Sequence, residues 1–315
     1  MSTVLDAVAA FWDYLASVQP LPLALAIGCH VGKTMCTSRA WRNVLAAAYP
    51  ETRVRWVSIY AAYIAGVGVN AIFPARAGDV VRLTMAHRAV KGATYTTLVS
   101  SSLVLAIVDA VCALALFAWA LSQGVFPSLD VLPSLPSFDF HWLFDHERVG
   151  EVVLLAVVFG LIALVVWASS HVTEFTQRIG QAFTVVRTPG RWLRTVVVWQ
   201  LADWGLRLAT IWFMLDAFGI HQSPRNVFLV QASQSLATLV PVSPGGVGTE
   251  QAFLLYTLGG EAARSALLAF SVGMKLTLTA VNVLLGFTAI LLTFRTLRIR
   301  SLSRPVDEPR GPVAP

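Results

Sequence analysis

Charge is what this sequence has least of. Asp, Glu, Lys and Arg make up 13% of its 315 residues, about half the ~25% of a soluble domain. Hydrophobic residues fill 56% of the chain. Apolar runs of about 18 residues or more recur, which excludes an ordinary soluble domain and indicates a polytopic helical membrane protein. The runs are continuous rather than alternating, which excludes a transmembrane barrel. Lysine is scarcer still, three residues against twenty arginines, within a net charge of +6. In a membrane protein such an excess sets topology and meets anionic lipid. No aromatic-interleaved basic module is present, so no nucleic-acid partner is expected.

Other absences narrow the function. The three cysteines, Cys29, Cys36 and Cys112, lie in apolar segments without any CxxC, and free buried thiols are expected. The N-terminus carries Asp6 and Asp13 and lacks a basic leader region, so no cleavable signal is expected. There is no Ser-His-Asp or Cys-His set at a recognisable spacing. His141 and His146, with Asp139, Asp145 and Glu147, match no zinc template and read as a solvated acidic loop. Gly28 to Thr34, with Gly32 and Lys33, imitates a phosphate-binding loop. It is one residue short and has no strand before it. No metal, no cofactor and no enzymatic constellation is therefore expected.

What is present is a repeated break. Residues 73–82 read FPARAGDVVR and residues 240–250 read VPVSPGGVGTE. Each places a proline, a glycine four residues on, and then a carboxylate inside a long apolar stretch: Pro74, Gly78, Asp79, and Pro244, Gly248, Glu250. Corresponding breaks in two halves of a membrane protein point to a substrate site between repeats. A helix starting at the midplane presents unpaired N–H groups and a positive dipole end, which bind anions. Gly245 and Gly246 let backbone approach a ligand closely, and Ser243 adds a hydroxyl. Arg76 and Arg82 are candidates to hold a phosphate, Asp79 to orient them, and Glu250 to cap its half-helix or meet a cation. The competing reading makes the arginines interfacial anchors and the prolines and glycines plain turns.

Arginine placement orients the chain. Spans are predicted at about 21–38, 56–73, 96–121, 149–169, 195–217, 227–258 and 266–293. The arginine-rich loops at 39–55, 76–91 and 171–194, and the C-terminus, fall in the cytoplasm, and the acidic loop 122–148 falls outside. The 56–91 stretch then enters and returns on the cytoplasmic side, and 227–262 does so on the outer side. The expected fold class is all-α and polytopic, an inverted repeat with two re-entrant or broken helical hairpins. Its parts are an interfacial segment 1–20, a first repeat 21–122, an outer loop 123–148, a connector 149–194, a second repeat 195–295 and a basic, then disordered tail 296–315.

Several polar residues lie inside spans, where charge is costly unless paired or hydrated. Asp203 and Arg207 are one turn apart and can pair, with Gln200 on the same face. Asp109 and Lys275 have no local partner, so either they pair across the bundle or they face a polar cavity. Gln231, Ser233, Gln234 and Ser235 form a polar approach to the second break.

The two broken segments resemble those of the lysylphosphatidylglycerol synthase transmembrane family, flippase-like integral membrane proteins. The matching residues are Pro74, Ala75, Arg76, Gly78, Asp79 and Arg82, then Pro241, Ser243, Pro244, Gly245, Gly246, Gly248 and Glu250. The resemblance covers roughly residues 20–295. This chain has Asp79 where that family usually has Glu, and Leu105 and Ala106 where a Glu-Arg pair usually precedes the Asp at position 109. The resemblance implies movement of a phospholipid, or of a modified or isoprenoid-linked lipid, between leaflets of the cell membrane. It also implies a lipid-modifying enzyme as partner. Residues 296–315 hold no room for the synthase domain of some relatives, so a stand-alone translocating unit is expected. The alternatives are a membrane-embedded enzyme on a lipid-linked substrate and a non-catalytic lipid-binding accessory subunit.

Overall fold

The computed structural model describes residues 17–73, 76–122, 183, 186, 189–239 and 249–302. Among them every regular element is helical: α1 Pro20–Ala48, α2 Trp56–Ile72, α3 Ala77–Ala89, α4 Tyr95–Ser122, α5 Val198–Ala217, α6 Pro224–Leu239, α7 Thr249–Leu258 and α8 Arg264–Leu302. A four-residue helix, Pro189–Trp192, and a π-helical turn, Leu193–Val197, lead into α5. Tyr95–Leu116 of α4 and Arg264–Thr293 of α8 are long and apolar enough to cross a membrane, and α2 is a shorter apolar helix. The outer loop 123–148 and the fourth predicted span lie outside the described residues.

Local chemistry sets the ends. Pro20 opens α1, where its missing N–H costs nothing. α2 stops at Phe73, whose extended φ of −96° and ψ of 130° are what a following proline imposes. Arg76, at φ 58° and ψ 31°, is the one non-glycine residue with positive φ among the described residues, and it turns the chain into α3. α2 and α3 close into a tight hairpin because two glycines face each other. A Cβ on Gly78 would run into the Gly66 carbonyl oxygen and the Asn70 carboxamide. Gly68 meets Gly286 in the same way where α2 crosses α8.

α1 and α5 run antiparallel along each other. The N–H of Gln19, just before α1, donates to the carbonyl of Ala217, the last residue of α5, at 2.9 Å. At the other end Asn43 Nδ2 donates to the Thr195 carbonyl at 2.7 Å. Two cores flank this pair. One gathers Trp41 and Leu45 of α1, Ile59 of α2 and Leu98 of α4. The other gathers Ile211 and Met214 of α5, Leu229 of α6, Leu254 of α7 and Phe270 of α8, with Ala26 from the opposite end of α1. α2 packs on α3 and α8, and α6 packs on α7 and α4. Trp119 of α4 meets Phe228 of α6 edge-on at 5.1 Å.

Candidate functional site

The first hairpin holds its carboxylate in a built setting. Asn70, near the end of α2, accepts the Gly78 N–H at 2.7 Å and donates to Asp79 Oδ1 at 3.4 Å. Asp79 lies in the first turn of α3, where the helix dipole favours a negative charge. One turn on, Arg82 stands 3.8 Å from Asp79 and donates to Ser102 of α4 at 3.3 Å. Its guanidinium lies over the Trp41 ring at 5.1 Å. Arg82 Nε is buried with no hydrogen-bond partner among the described residues. Arg76 is exposed at the hairpin tip, so the two candidate arginines are not equivalent.

The pair α6 and α7 also sets a carboxamide against a first-turn carboxylate. Gln234 of α6 donates to Glu250 Oε1 at 3.2 Å, and Glu250 lies in the first turn of α7. Lys275 of α8 stands 3.6 Å from Glu250 Oε2. Ser243, Gly245 and Gly246 lie outside the described residues.

A third polar group sits between α1, α4 and α5. Arg207 donates to Asp203 at 2.9 Å and reaches Asp109 at 4.0 Å. Thr37 of α1 donates to Asp203 at 2.5 Å, and Trp204 Nε1 donates to Asp109 at 2.9 Å. Lys33, one turn before Thr37, lies in the field of Asp203, Asp109 and Arg207. Tyr63 of α2 lies beside Thr37, within electrostatic reach of both Arg82 and Arg207. It joins this group to the first hairpin. His30, on the same stripe of α1, bonds Asn282 of α8 at 2.8 Å.

The expected Asp203–Arg207 pair forms. Asp109 and Lys275 do not pair with each other. Asp109 joins Arg207 and Trp204, and Lys275 joins Glu250, because each finds an opposite charge on a nearer helix. Gln200 also meets α4, donating to the Leu105 carbonyl at 3.2 Å. Sequence reasoning missed Lys33 as an intramembrane charge, since it was read only as part of a failed phosphate-loop pattern. The usable signal was its seven-residue stripe with His30 and Thr37, charged or polar inside an apolar helix. It also missed Asn70, the carboxamide counterpart of Gln234.

The family described as the lysylphosphatidylglycerol synthase TM region matches residues 4–286. The chain belongs to this family. Members of the lysylphosphatidylglycerol synthase TM region family are membrane proteins connected with lipid, and the apolar helices α4 and α8 agree with a place in a membrane. The match runs through both hairpins and all three polar groups. No curated protein matches the chain.

Proposed function

We propose that this protein is a lipid translocase. In this reading the headgroup binds near the midplane between the two hairpins, and two inverted repeats rock about it. The observation that carries the reading is the recurrence of one polar trio. Carboxamide, first-turn carboxylate and cation are Asn70, Asp79 and Arg82 in one half, and Gln234, Glu250 and Lys275 in the other. The carboxamide and the carboxylate recur at the same hairpin positions, while the cation comes from α3 in the first half and from α8 in the second.

Two further features support the repeat. Exchanging α1–α4 for α5–α8 in order maps the helix contacts onto themselves: α2 on α8 becomes α6 on α4, and α3 on α4 becomes α7 on α8. The exchanged helices α1 and α5 are antiparallel, as inverted units require. The second limbs are also short. α3 has 13 residues and α7 has 10, about 20 and 15 Å, against a hydrocarbon core of about 30 Å. Such limbs return to the side they came from. Arg76 and Arg82 take the phosphate, and Asp79 and Glu250 hold the cations in place.

The test is lipid movement in liposomes carrying the purified protein, with fluorescent lipids of different headgroups. Headgroup-dependent exposure of inner-leaflet lipid, lost in Arg82→Ala and Glu250→Ala, is the expected result. Wild type indistinguishable from empty liposomes for every headgroup would sink the translocase.

A further inference from the structure

The polar group between α1, α4 and α5 is not used by the reading above. Its two carboxylates are held unequally. Asp203 is 2% exposed at its side chain, and both its oxygens are engaged, one by Thr37 and the other by Arg207. Asp109 is 42% exposed at its side chain. Its Oδ1 accepts from Trp204 and stands 4.0 Å from Arg207, and its Oδ2 has no hydrogen bond among the described residues. A carboxylate near the middle of a span and open on one side is too costly against lipid tails, so it faces a hydrated path.

Two buried atoms beside it have no hydrogen-bond partner among the described residues. They are Arg207 Nε and Gln200 Oε1. Gln200 is 1% exposed and is fixed to α4 one turn before Asp109. A buried donor and a buried acceptor left this way are each completed by a small hydrogen-bonding species such as water.

The charges set the sign. Lys33 and Arg207 contribute +2, and Asp203 and Asp109 contribute −2, so the group is neutral. One proton on Asp109 makes it +1. We propose that Asp109 is a proton-binding residue and that its protonation favours loading of an anionic lipid headgroup, so that one proton accompanies each lipid. The proposal rests on the translocase reading. The proton comes from water on one side, converts the Asp109 carboxylate to the carboxylic acid, and returns to water on the other side when the lipid leaves. Arg207 stays on Asp203, and the loaded group is neutral overall.

The other titratable groups nearby are accounted for. They are His30, Lys33 and Cys36 on α1, Tyr60 and Tyr63 on α2, Arg82 on α3, and Cys112 on α4. α6 carries only Arg225, which pairs with Glu261, and Lys275 of α8 pairs with Glu250. Of these, His30 and the buried Lys33 are the rivals for the proton near neutral pH.

The experiment uses the full chain in liposomes, with a trace of fluorescent phosphatidylglycerol, the voltage clamped to zero and a gradient of one pH unit. Acid outside should drive the lipid inward and acid inside should drive it outward. The leaflet ratio should change about tenfold per pH unit for one proton per lipid. A lumenal pH dye should report acidification as lipid enters, which reads the coupling on the wild type alone. Asp109→Asn should move lipid with the same leaflet ratio under both gradients, and His30→Gln should keep the gradient response. A wild-type ratio unchanged between the two gradients overturns the proposal while leaving the translocase standing. Coupling lost in His30→Gln and kept in Asp109→Asn also overturns it. No lipid movement under any gradient sinks the translocase reading, and the coupling with it.

Discussion

Arg76 has the least comfortable backbone among the described residues. A non-glycine residue in the left-handed region carries about 1–2 kcal/mol of steric cost, yet it sits at the hairpin tip with its side chain exposed. Strain of that kind persists where the surrounding structure requires it, often at a functional site. Glycine relieves the strain and removes the guanidinium together. Arg76→Gly should therefore melt no lower than wild type, with a gain of up to about 1 kcal/mol, while lipid movement falls. Wild-type transport by Arg76→Gly would make the guanidinium dispensable. At Arg207 the balance is reversed. Removing it leaves the buried Asp203 carboxylate with Thr37 as its remaining hydrogen-bond partner among the described residues and Lys33 as the nearby cation, a loss of up to about 3–5 kcal/mol. Arg207→Leu should lower the melting temperature in detergent. The double variant Arg207→Leu with Asp203→Asn should recover part of it, because the orphaned charge is gone. Equal melting of single and double variants would mean that Asp203 is compensated in some other way.

The elements carry the topological claim. Arg55 precedes α2 and Lys91 follows α3, so a re-entrant first hairpin puts both on the same side of the membrane. Ser223 and Glu261 bracket α6 and α7 and should lie together on the opposite side. Single cysteines at these four positions, in a background without Cys29, Cys36 and Cys112, should label in those two pairs with an impermeant thiol reagent. A split within either pair turns that hairpin into two crossings. The helices themselves were largely legible. The predicted 56–73 and 96–121 agree with α2 and α4 within a residue or two, since hydropathy, and for the end of α2 the following proline, sets their bounds. The first span was predicted to end at Ser38, but α1 continues to Ala48. The arginines from Arg39 on do not stop the helix. Instead Arg39 lies over Trp56 and Trp199, and Arg42 donates to the Val54 carbonyl, so charged side chains extend the helix rather than end it. Asp79, Glu250 and the Asp203–Arg207 pair were readable because each breaks an apolar run. The partners of Asp109 and Lys275 were not, because side chains more than fifteen residues away in sequence decide them.

At the scale of the whole molecule, the two seams related by the exchange of halves are not equally tight. α2 crosses α8 with glycine against glycine: a Cβ on Gly286 would come 2.6 Å from the Gly68 Cα. The counterpart, α4 on α6, is held apart by bulk, Trp119 against Phe228. In the translocase proposed above, two such seams in unequal states would correspond to one end point of the rocking motion, with the α2–α8 side closed. The closed seam then depends on an absent side chain, and adding one should oppose this end point specifically. Gly286→Val places its Cβ where the α2 backbone now lies, while a Cβ added at Gly28, on α1, meets nothing within 4 Å. Gly286→Val should slow lipid movement at least tenfold, roughly 1.4 kcal/mol against the closed state. Gly28→Val should move lipid at the wild-type rate. If Gly286→Val transports like wild type, the α2–α8 contact does not have to close during the cycle, and the two halves do not rock about the α1–α5 pair.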